Sequence, residues 1–211
     1  MRLLKKPVRD KLSNFLTGPF LLRRGAKIKR MVSLTFDDGP SEFTEDILKI
    51  LRNYSVKATF FLNGSNIQKK EVETKEIFEE GHEIGIHSFS HQLSYSMVKL
   101  YNELRITDEL IKRTTSVRPK LFRSPYGRIN LASLMVPIFL GLRHVLWSVD
   151  PEDFLANNAQ AIVETFSKFQ ICKGDIILLH DKTKYTVEAL PRIIEKILAE
   201  KFVIGKVSEI I

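Results

Sequence analysis

The stretch MVSLTFDDGP, residues 31–40, joins a largely apolar run to two adjacent carboxylates and a Gly-Pro turn. The apolar run predicts a buried β-strand over residues 31–36. Asp37 and Asp38 stand where that strand ends. Two neighbouring negative charges at such a place indicate either a solvated turn or a metal site with a base beside it. The rest of the sequence has to separate these two interpretations.

The same strand-and-helix pattern repeats along the chain. Strands are predicted at six further segments, 56–62, 82–87, 120–123, 143–149, 175–179 and 202–207. Helices are predicted between them, the first capped by Ser41, the third opened by Ser94, and the others over 71–80, 130–142, 159–169 and 186–201. This alternation is typical of a parallel sheet with helical crossovers, either an open doubly wound sheet or a closed barrel. The first strand is not followed by a glycine-rich phosphate loop, which argues against the nucleotide-binding form of the open sheet.

The net charge of +8 is concentrated near the N-terminus. Residues 1–30 contain ten Lys or Arg and one acid, whereas residues 31–211 contain 23 Lys or Arg and 24 acids. We therefore predict a basic N-terminal arm over 1–30 and one nearly neutral domain over 31–211. The domain shows no aromatic–basic platform and no nucleic-acid motif, so nucleic acid is not an expected partner.

The basic arm does not have the pattern of a signal peptide, because its apolar stretches are short and interrupted. A short amphipathic helix is predicted between Pro7 and Gly18, with an apolar face of Val8, Leu12, Phe15 and Leu16. Two interpretations stay open: peripheral contact of residues 1–25 with a membrane, or an arm packed on the body, which is favoured. Without a signal peptide or transmembrane run, we expect a cytoplasmic or inner-membrane-surface location.

Ionisable residues follow five of the predicted strands at their carboxyl ends. They are Asp37 and Asp38, then His87 and His91, then Arg123, then Asp150 and Asp153, and finally His180 and Asp181. In a parallel α/β barrel those strand ends form one rim, which is where active sites are built. Chance explains one or two such placements better than five, so the sequence predicts an active site at this rim.

The residue types at this rim predict metal-assisted hydrolysis. Asp38, His87 and His91 offer one oxygen and two nitrogens, a set that suits zinc or a similar divalent ion. A metal ion there activates water, and Asp37 could take the proton. Arg123 could keep Asp37 ionised, and His180 could protonate a leaving group.

Five motifs in this order resemble those of the polysaccharide deacetylases with a NodB homology domain, carbohydrate esterase family 4. They are TFDDGP (35–40), HSFSH (87–91), RSPYG (123–127), DPEDF (150–154) and LLH (178–180). The resemblance covers roughly residues 30–211. Phe154 stands where the family usually has tryptophan, and Ser124 stands where proline is common. Five ordered motifs form a far more specific signal than a single pattern.

The resemblance implies a distorted (β/α)7 barrel, with residues 31–211 as the catalytic domain. It also implies metal-dependent release of acetate from N-acetyl or O-acetyl groups of a glycan such as chitin oligomers or peptidoglycan. Its implied metal ligands are Asp38, His87 and His91, with Zn2+ as the first choice and Co2+, Ni2+ or Mn2+ as alternatives. The resemblance also implies Asp37 as general base and His180 as general acid, with Arg123 holding Asp37 and Asp153 orienting His180. The backbone N–H of Tyr126 is implied in the oxyanion site. The implied substrate-binding residues are Pro125, Tyr126, Phe154 and Leu178.

Two other functions remain open at this point. The first is hydrolysis of small-molecule C–N bonds by a related metal-dependent barrel. The second is a non-catalytic glycan-binding barrel, which predicts loss of a base or a ligand. Asp37, Asp38, His87, His91 and His180 are all present, which favours catalysis.

Overall fold

The computed structural model describes residues 21–26, 30–93 and 95–211 of the 211-residue chain. The predicted arm helix between Pro7 and Gly18 lies outside the described residues, and so does Ser94. No α-helix in the described ranges combines the length and the apolar character needed to cross a membrane.

The described residues form one eight-stranded sheet whose strand pairs are all parallel. The strands are β1 (Leu21–Leu22), β2 (Met31–Asp37), β3 (Thr59–Leu62), β4 (Glu83–Ile86), β5 (Leu121–Phe122), β6 (Arg143–Val145), β7 (Ile176–His180) and β8 (Val203–Ile204). Their order is β1-β6-β5-β4-β3-β2-β7, and β8 pairs with the start of β2. The predicted strands are thus present, together with a short β1 that the sequence pattern did not indicate.

Helices connect consecutive strands and pack against the outer face of the sheet. In the described part of the chain they are α1 (Thr44–Asn53), α2 (Gly64–Ile67), α3 (Glu71–Glu79), α4 (Met97–Thr115), α5 (Leu131–Phe139), α6 (Ala159–Ser167) and α7 (Lys184–Ala199). Short 3-10 turns lie at Pro125–Gly127, Asp153–Leu155 and Val207–Glu209. The predicted α/β class with helical crossovers is confirmed.

The sheet curls into a distorted barrel. β7 pairs with β2, and an isolated parallel bridge joins Val149 to Ile177, so the chain beyond β6 reaches β7. The predicted strand over 143–149 pairs regularly only over its first three residues. Pairing with β7 resumes at Val149, whose carbonyl accepts from the Leu178 N–H at 2.9 Å. This irregular closure explains why the barrel is distorted, and it agrees with the predicted (β/α)7 architecture.

Side chains alternate between the two faces of β2, which decides what reaches the interior. Val32, Leu34 and Phe36 belong to the main hydrophobic core beneath the helices. Thr35 and Asp37 therefore point to the opposite, inner face. Residues that pair across two adjacent strands point to the same face of the sheet. The pairing of Asp37 in β2 with His180 in β7 therefore places both side chains inside the barrel at the same level.

Two predicted helix starts are wrong. Helix α1 begins at Thr44 with Phe43 at the N-cap, because the Ser41 hydroxyl instead donates to the buried Asp181 carboxylate at 2.6 Å. Helix α4 is capped by Ser96, whose side chain accepts from the Lys99 N–H. The predicted first residue is Ser94. In both cases several polar residues precede the helix, and tertiary contacts select among them.

Part of the predicted arm packs on the body. Leu21 of β1 is 5% exposed and pairs with His144 of β6. Arg24 forms an ion pair with the fully buried Asp175, with its Nε 2.6 Å from the carboxylate. The N–H of Ala26 donates to the Ile210 carbonyl at 2.6 Å. Residues 21–26 are therefore bonded to β6, to the start of β7 and to the C-terminal residues.

Candidate active site

The predicted site residues meet at the carboxyl rim of the barrel. Asp37 and His180 end β2 and β7, and His87 follows β4. Arg123 follows β5, and Asp153 begins the 3-10 turn that follows β6. The parallel sheet therefore brings together side chains that are up to 143 positions apart in the sequence.

Asp38, His87 and His91 form a three-residue cluster with metal-ligand chemistry. Each offers one ligand atom, and these atoms lie within 4.8 Å of one another. His91 Nε2 is 3.1 Å from Asp38 Oδ1, and His87 Nε2 is 3.7 Å from the same oxygen. One carboxylate and two imidazoles suit zinc and similar divalent ions. The donor set and its spacing therefore fit the predicted metal.

Neighbouring groups orient these three side chains. His87 Nδ1 lies 2.9 Å from the Arg123 carbonyl oxygen, which can only accept, so Nδ1 holds the proton and Nε2 faces the cluster as a free lone pair. Asn66 Nδ2 donates to the Asp38 carbonyl at 2.7 Å, and Asn63 Nδ2 donates to the Asp38 carboxylate at 3.3 Å. The site is thus organised before any ligand enters.

Electrostatics also favour ligand binding by the cluster. Burial opposes the charge of Asp38, but His87, His91, His180 and Lys182 outweigh it and lower the pKa of the Asp38 carboxyl. Burial and the neighbouring His87 lower the pKa of His91. An ionised carboxylate and a neutral imidazole are the forms that bind metal ions.

The backbone of the rim adopts the left-handed region at several residues other than glycine. The φ angles are 70° at Asp38, 68° at Ser88, 51° at His91 and 56° at Tyr126. Such conformations are unfavourable for residues with a Cβ and persist where surrounding contacts enforce them, often at functional sites. Here they turn Asp38 and His91 toward each other, which regular strand geometry would not do.

Asp37 is held by a buried arginine. Arg123 is 0% exposed, and its Nη1 donates to Asp37 Oδ1 at 2.7 Å and to Thr35 Oγ1 at 2.8 Å. Its Nη2 donates to the Leu146 carbonyl at 3.0 Å, and its guanidinium lies 4.0 Å above the Phe61 ring. Burial lowers the pKa of Arg123, and the Asp37 charge opposes that effect. The pair positions Asp37 Oδ2 beside the metal cluster, 3.7 Å from His87 Nε2.

His180 and Asp153 form a second polar pair at the rim, contributed by β7 and by the 3-10 turn after β6. His180 Nδ1 donates to Asp153 Oδ1 at 2.7 Å, and the His180 backbone N–H donates to Asp153 Oδ2 at 2.7 Å. The Thr186 hydroxyl also donates to Asp153, at 2.8 Å. Burial lowers the pKa of His180, but the hydrogen bond and the charge of Asp153 outweigh it and raise that pKa to about 9. His180 is therefore a cation at neutral pH.

The predicted substrate-binding residues divide into two exposed and two buried ones. Tyr126 is 58% exposed with its ring centre 4.6 Å from that of His91, and Phe154 is 51% exposed with its ring 5.4 Å from that of His180. Pro125 and Leu178 are buried, the latter in register with Thr35 inside the barrel. Tyr126 and Phe154 thus flank the metal cluster and His180, and the acetyl-binding role of Leu178 stays a prediction.

An open cleft of about 590 Å³ adjoins the cluster. Asp38 and His91 line it at one end, and Asn66, Lys70 and Lys182 line the wall beyond them. The Lys182 ammonium is 3.4 Å from Asp38 Oδ2. A polar cleft of this size next to the cluster can accept a sugar-sized group.

Sequence reasoning missed Glu103, which lies on α4 and is 8% exposed. Its carboxylate accepts from the N–H groups of Phe89 and Ser90, each at 2.8 Å, and from the Ser90 hydroxyl at 2.6 Å. Glu103 therefore fixes the loop between His87 and His91. The available signal was an acid on the apolar face of α4, next to Leu104 in the sequence.

Comparisons with known proteins agree with this geometry. The family model described as polysaccharide deacetylase matches residues 24–145. The peptidoglycan-N-acetylglucosamine deacetylase PgdA of Listeria monocytogenes is 35% identical over 188 residues, which are 88% of this chain and 40% of that protein. The chain thus spans well under half the length of that relative.

Solved structures extend the likeness over most of the chain. The Bc1960 peptidoglycan N-acetylglucosamine deacetylase has a TM-score of 0.87 and 32% identity, covering 93% of this chain and 95% of that one. A CE4 family pseudoenzyme from Bacillus anthracis has a TM-score of 0.85 and 28% identity, covering 91% of this chain and 69% of that one. The fold alone therefore does not establish catalysis, and the side chains at the rim have to support it.

Proposed function

Because this chain belongs to the polysaccharide deacetylase family, we propose that it hydrolyses N-acetyl groups of an N-acetylglucosamine-containing glycan, peptidoglycan above all, and releases acetate. Two similar proteins are named peptidoglycan N-acetylglucosamine deacetylases, which favours the amide over an O-acetyl ester. The observation that carries the proposal is the arrangement around Asp37. Arg123 Nη1 donates to Asp37 Oδ1 at 2.7 Å and holds this carboxylate beside the Asp38–His87–His91 cluster. His180 pairs with Asp37 on the neighbouring strand β7.

Asp38, His87 and His91 would hold the divalent ion, with zinc as the first choice. When bound there, the ion supplies Lewis acidity, which polarises the acetyl carbonyl and activates water for attack. The chain supplies the remaining groups as two hydrogen-bonded pairs, Asp37 with Arg123 and His180 with Asp153.

Asp37 acts as the general base. Its carboxylate Oδ1 is engaged by Arg123, which leaves Oδ2 available on the side of the metal cluster. Oδ2 accepts a proton from water while the water oxygen bonds to the acetyl carbonyl carbon. Arg123 orients Asp37 by donating from its rigid guanidinium to Oδ1.

His180 acts as the general acid. Because Asp153 keeps it protonated at neutral pH, its Nε2–H can donate to the amide nitrogen as the C–N bond breaks. The products are acetate and the free amine of the sugar. The proton that Asp37 takes from water balances the proton that His180 gives to the amine, so the enzyme returns to its starting state after proton exchange.

The backbone N–H of Tyr126 would stabilise the negative oxygen that forms on the carbonyl during attack. The exposed rings of Tyr126 and Phe154 would flank the sugar, and Pro125 fixes the turn that presents Tyr126. With Phe154 in place of the family's usual tryptophan, we expect the groove to be wider at this edge.

Acetate release and metal content, measured on the same samples, test the proposal. Wild-type protein should release acetate from N-acetylglucosamine oligomers and from peptidoglycan, and a chelator should abolish the release. Asp37→Asn should retain the metal and lose turnover by about 10²-fold or more, whereas Asp38→Asn should lose the metal.

Full activity of Asp37→Asn would remove the proposed base. Metal-loaded wild-type protein that releases no acetate from any glycan would favour hydrolysis of a small-molecule C–N bond. A protein that cannot be loaded with metal would favour the non-catalytic barrel.

A further inference from the structure

One segment of the chain lacks acidic residues. Between Leu110 and Val149 the sequence contains seven Lys or Arg and no Asp or Glu. This segment comprises the end of α4, together with β5, α5 and β6. By contrast, the nine residues of α3 alone include four glutamates. Arg123 is buried, and Arg113 and Arg118 pair with acids of α3 and α4. The exposed cations outside these pairs, Lys112, Lys120, Arg128 and Arg143, make the local surface potential positive.

Helix α5 in this segment exposes apolar side chains. Its sequence, LASLMVPIF, contains one polar residue, Ser133, which is buried. Leu131, Ile138 and Phe139 are 67%, 42% and 71% exposed. A helix that covers a sheet normally turns polar residues outward. The outer face of α5 is therefore suited to contact with an apolar medium.

Two cations stand next to the C-terminal end of α5. The Arg143 N–H donates to the Lys120 carbonyl at 2.9 Å, so these two exposed residues lie side by side at the start of β5 and β6. In the described part of the chain neither has a carboxylate within salt-bridge distance. We call Leu131, Ile138, Phe139, Lys120 and Arg143 the apolar–basic face.

The N-terminal arm joins the body beside this face. Leu21 pairs with His144, the neighbour of Arg143. Residues 1–20, which precede Leu21 in the sequence, contain five Lys or Arg and one Asp.

We propose that the apolar–basic face is a docking surface for an anionic lipid membrane. Exposed apolar side chains beside cations that lack a carboxylate partner are the composition of peripheral membrane contacts. Phe139 and Ile138 would enter the boundary between headgroups and acyl chains, and Lys120 and Arg143 would lie at the lipid phosphates. Because Lys120 and Arg143 stand at the amino ends of their strands, the catalytic cleft at the carboxyl ends stays open to a glycan.

Co-sedimentation of the full chain with vesicles tests this surface. Vesicles of phosphatidylcholine with phosphatidylglycerol should bind the wild type at low ionic strength, and phosphatidylcholine alone should bind it weakly. Phe139→Ser should lower the partition coefficient by about tenfold or more, since it removes an exposed aromatic side chain that would be buried in the bilayer. The Lys120→Gln and Arg143→Gln double variant should lower it by about tenfold or more as well.

Matched controls place similar changes elsewhere. Val72→Ser on α3 removes an apolar side chain that is 68% exposed, and Lys49→Gln on α1 removes an exposed cation. Both should bind vesicles as the wild type does, and thermal unfolding should show that every variant is folded. The proposal would be overturned if both face variants bound vesicles as strongly as the wild type and only removal of residues 1–20 abolished binding. That result would assign the contact to the arm. Failure of the wild type to sediment with anionic vesicles would overturn the proposal too.

Discussion

The substitution Arg123→Met tests whether the buried ion pair stabilises the fold while it positions Asp37. The Arg123 guanidinium is completely buried and donates to Asp37, to Thr35 and to the carbonyls of Val145 and Leu146. Methionine keeps most of the side-chain length and its packing on neighbouring apolar groups. It leaves a 2%-exposed Asp37 carboxylate without its cation.

The expected loss of stability is large because the remaining partner stays buried. Removing one member of a buried pair costs about 3–5 kcal/mol. Each carbonyl that loses its donor adds up to about 1–3 kcal/mol, although water entering from the rim offsets much of that term. We therefore expect the free energy of unfolding to fall by about 4 kcal/mol. For a protein of this size the melting temperature should fall by about 8–16 °C.

Urea unfolding followed by far-ultraviolet circular dichroism measures this loss. Arg113→Met is the matched control, because Arg113 is exposed and pairs with Glu71 at the surface. The control should cost no more than about 1 kcal/mol. Adding Asp37→Asn to Arg123→Met should restore part of the stability by removing the unpaired charge. A loss for Arg123→Met equal to that of the control would refute the reasoning.

Two further predictions concern residues that orient the site. Glu103→Ala should weaken metal binding by about tenfold or more, because the loop that holds His91 loses its anchor. Chelator competition measures the metal affinity, and Glu109→Ala on the same helix is the control. Equal metal affinities of the two variants would contradict this prediction. Since the folded-state pKa of His180 is about 9, above its unfolded value, its protonation stabilises the fold below about pH 6.5 and loses that effect as pH rises through 9. In urea unfolding of metal-free protein, the stability advantage of wild type over Asp153→Asn should therefore shrink from neutral to alkaline pH, and a constant difference would contradict it.

The position of the candidate site could be predicted because it depends on a simple rule. Parallel strands present their carboxyl ends at one rim, so a count of polar residues at strand ends identifies Asp37, His87, Arg123 and His180 without any coordinates. The pairing of Asp37 with His180 follows from the same rule once β2 and β7 are neighbours. The strand order itself was beyond reach, since no local pattern states which strands pair.

Other features depend on contacts that a linear pattern does not encode. Glu103 acts on the loop after His87 from 13 and 14 residues away, and its role requires the packing of α4 against that loop. Strand β1 is two residues long, too short for a periodic signal. The start of α1 moved because the buried Asp181 takes the Ser41 hydroxyl. In each case a tertiary partner overrides a local preference.

The register between β2 and β7 also limits how this site could be transferred to another scaffold. Side chains alternate along a strand, so a slip of one residue would turn Asp37 outward and bring Phe36 to the interior. The neighbouring strand would present Leu179 in place of His180 at the level of Asp37. A designer who copied the five motifs but left this alignment loose would obtain a protein with every reactive group and no common centre. The information that would make these residues a catalytic centre is thus partly held in the alignment of two backbones.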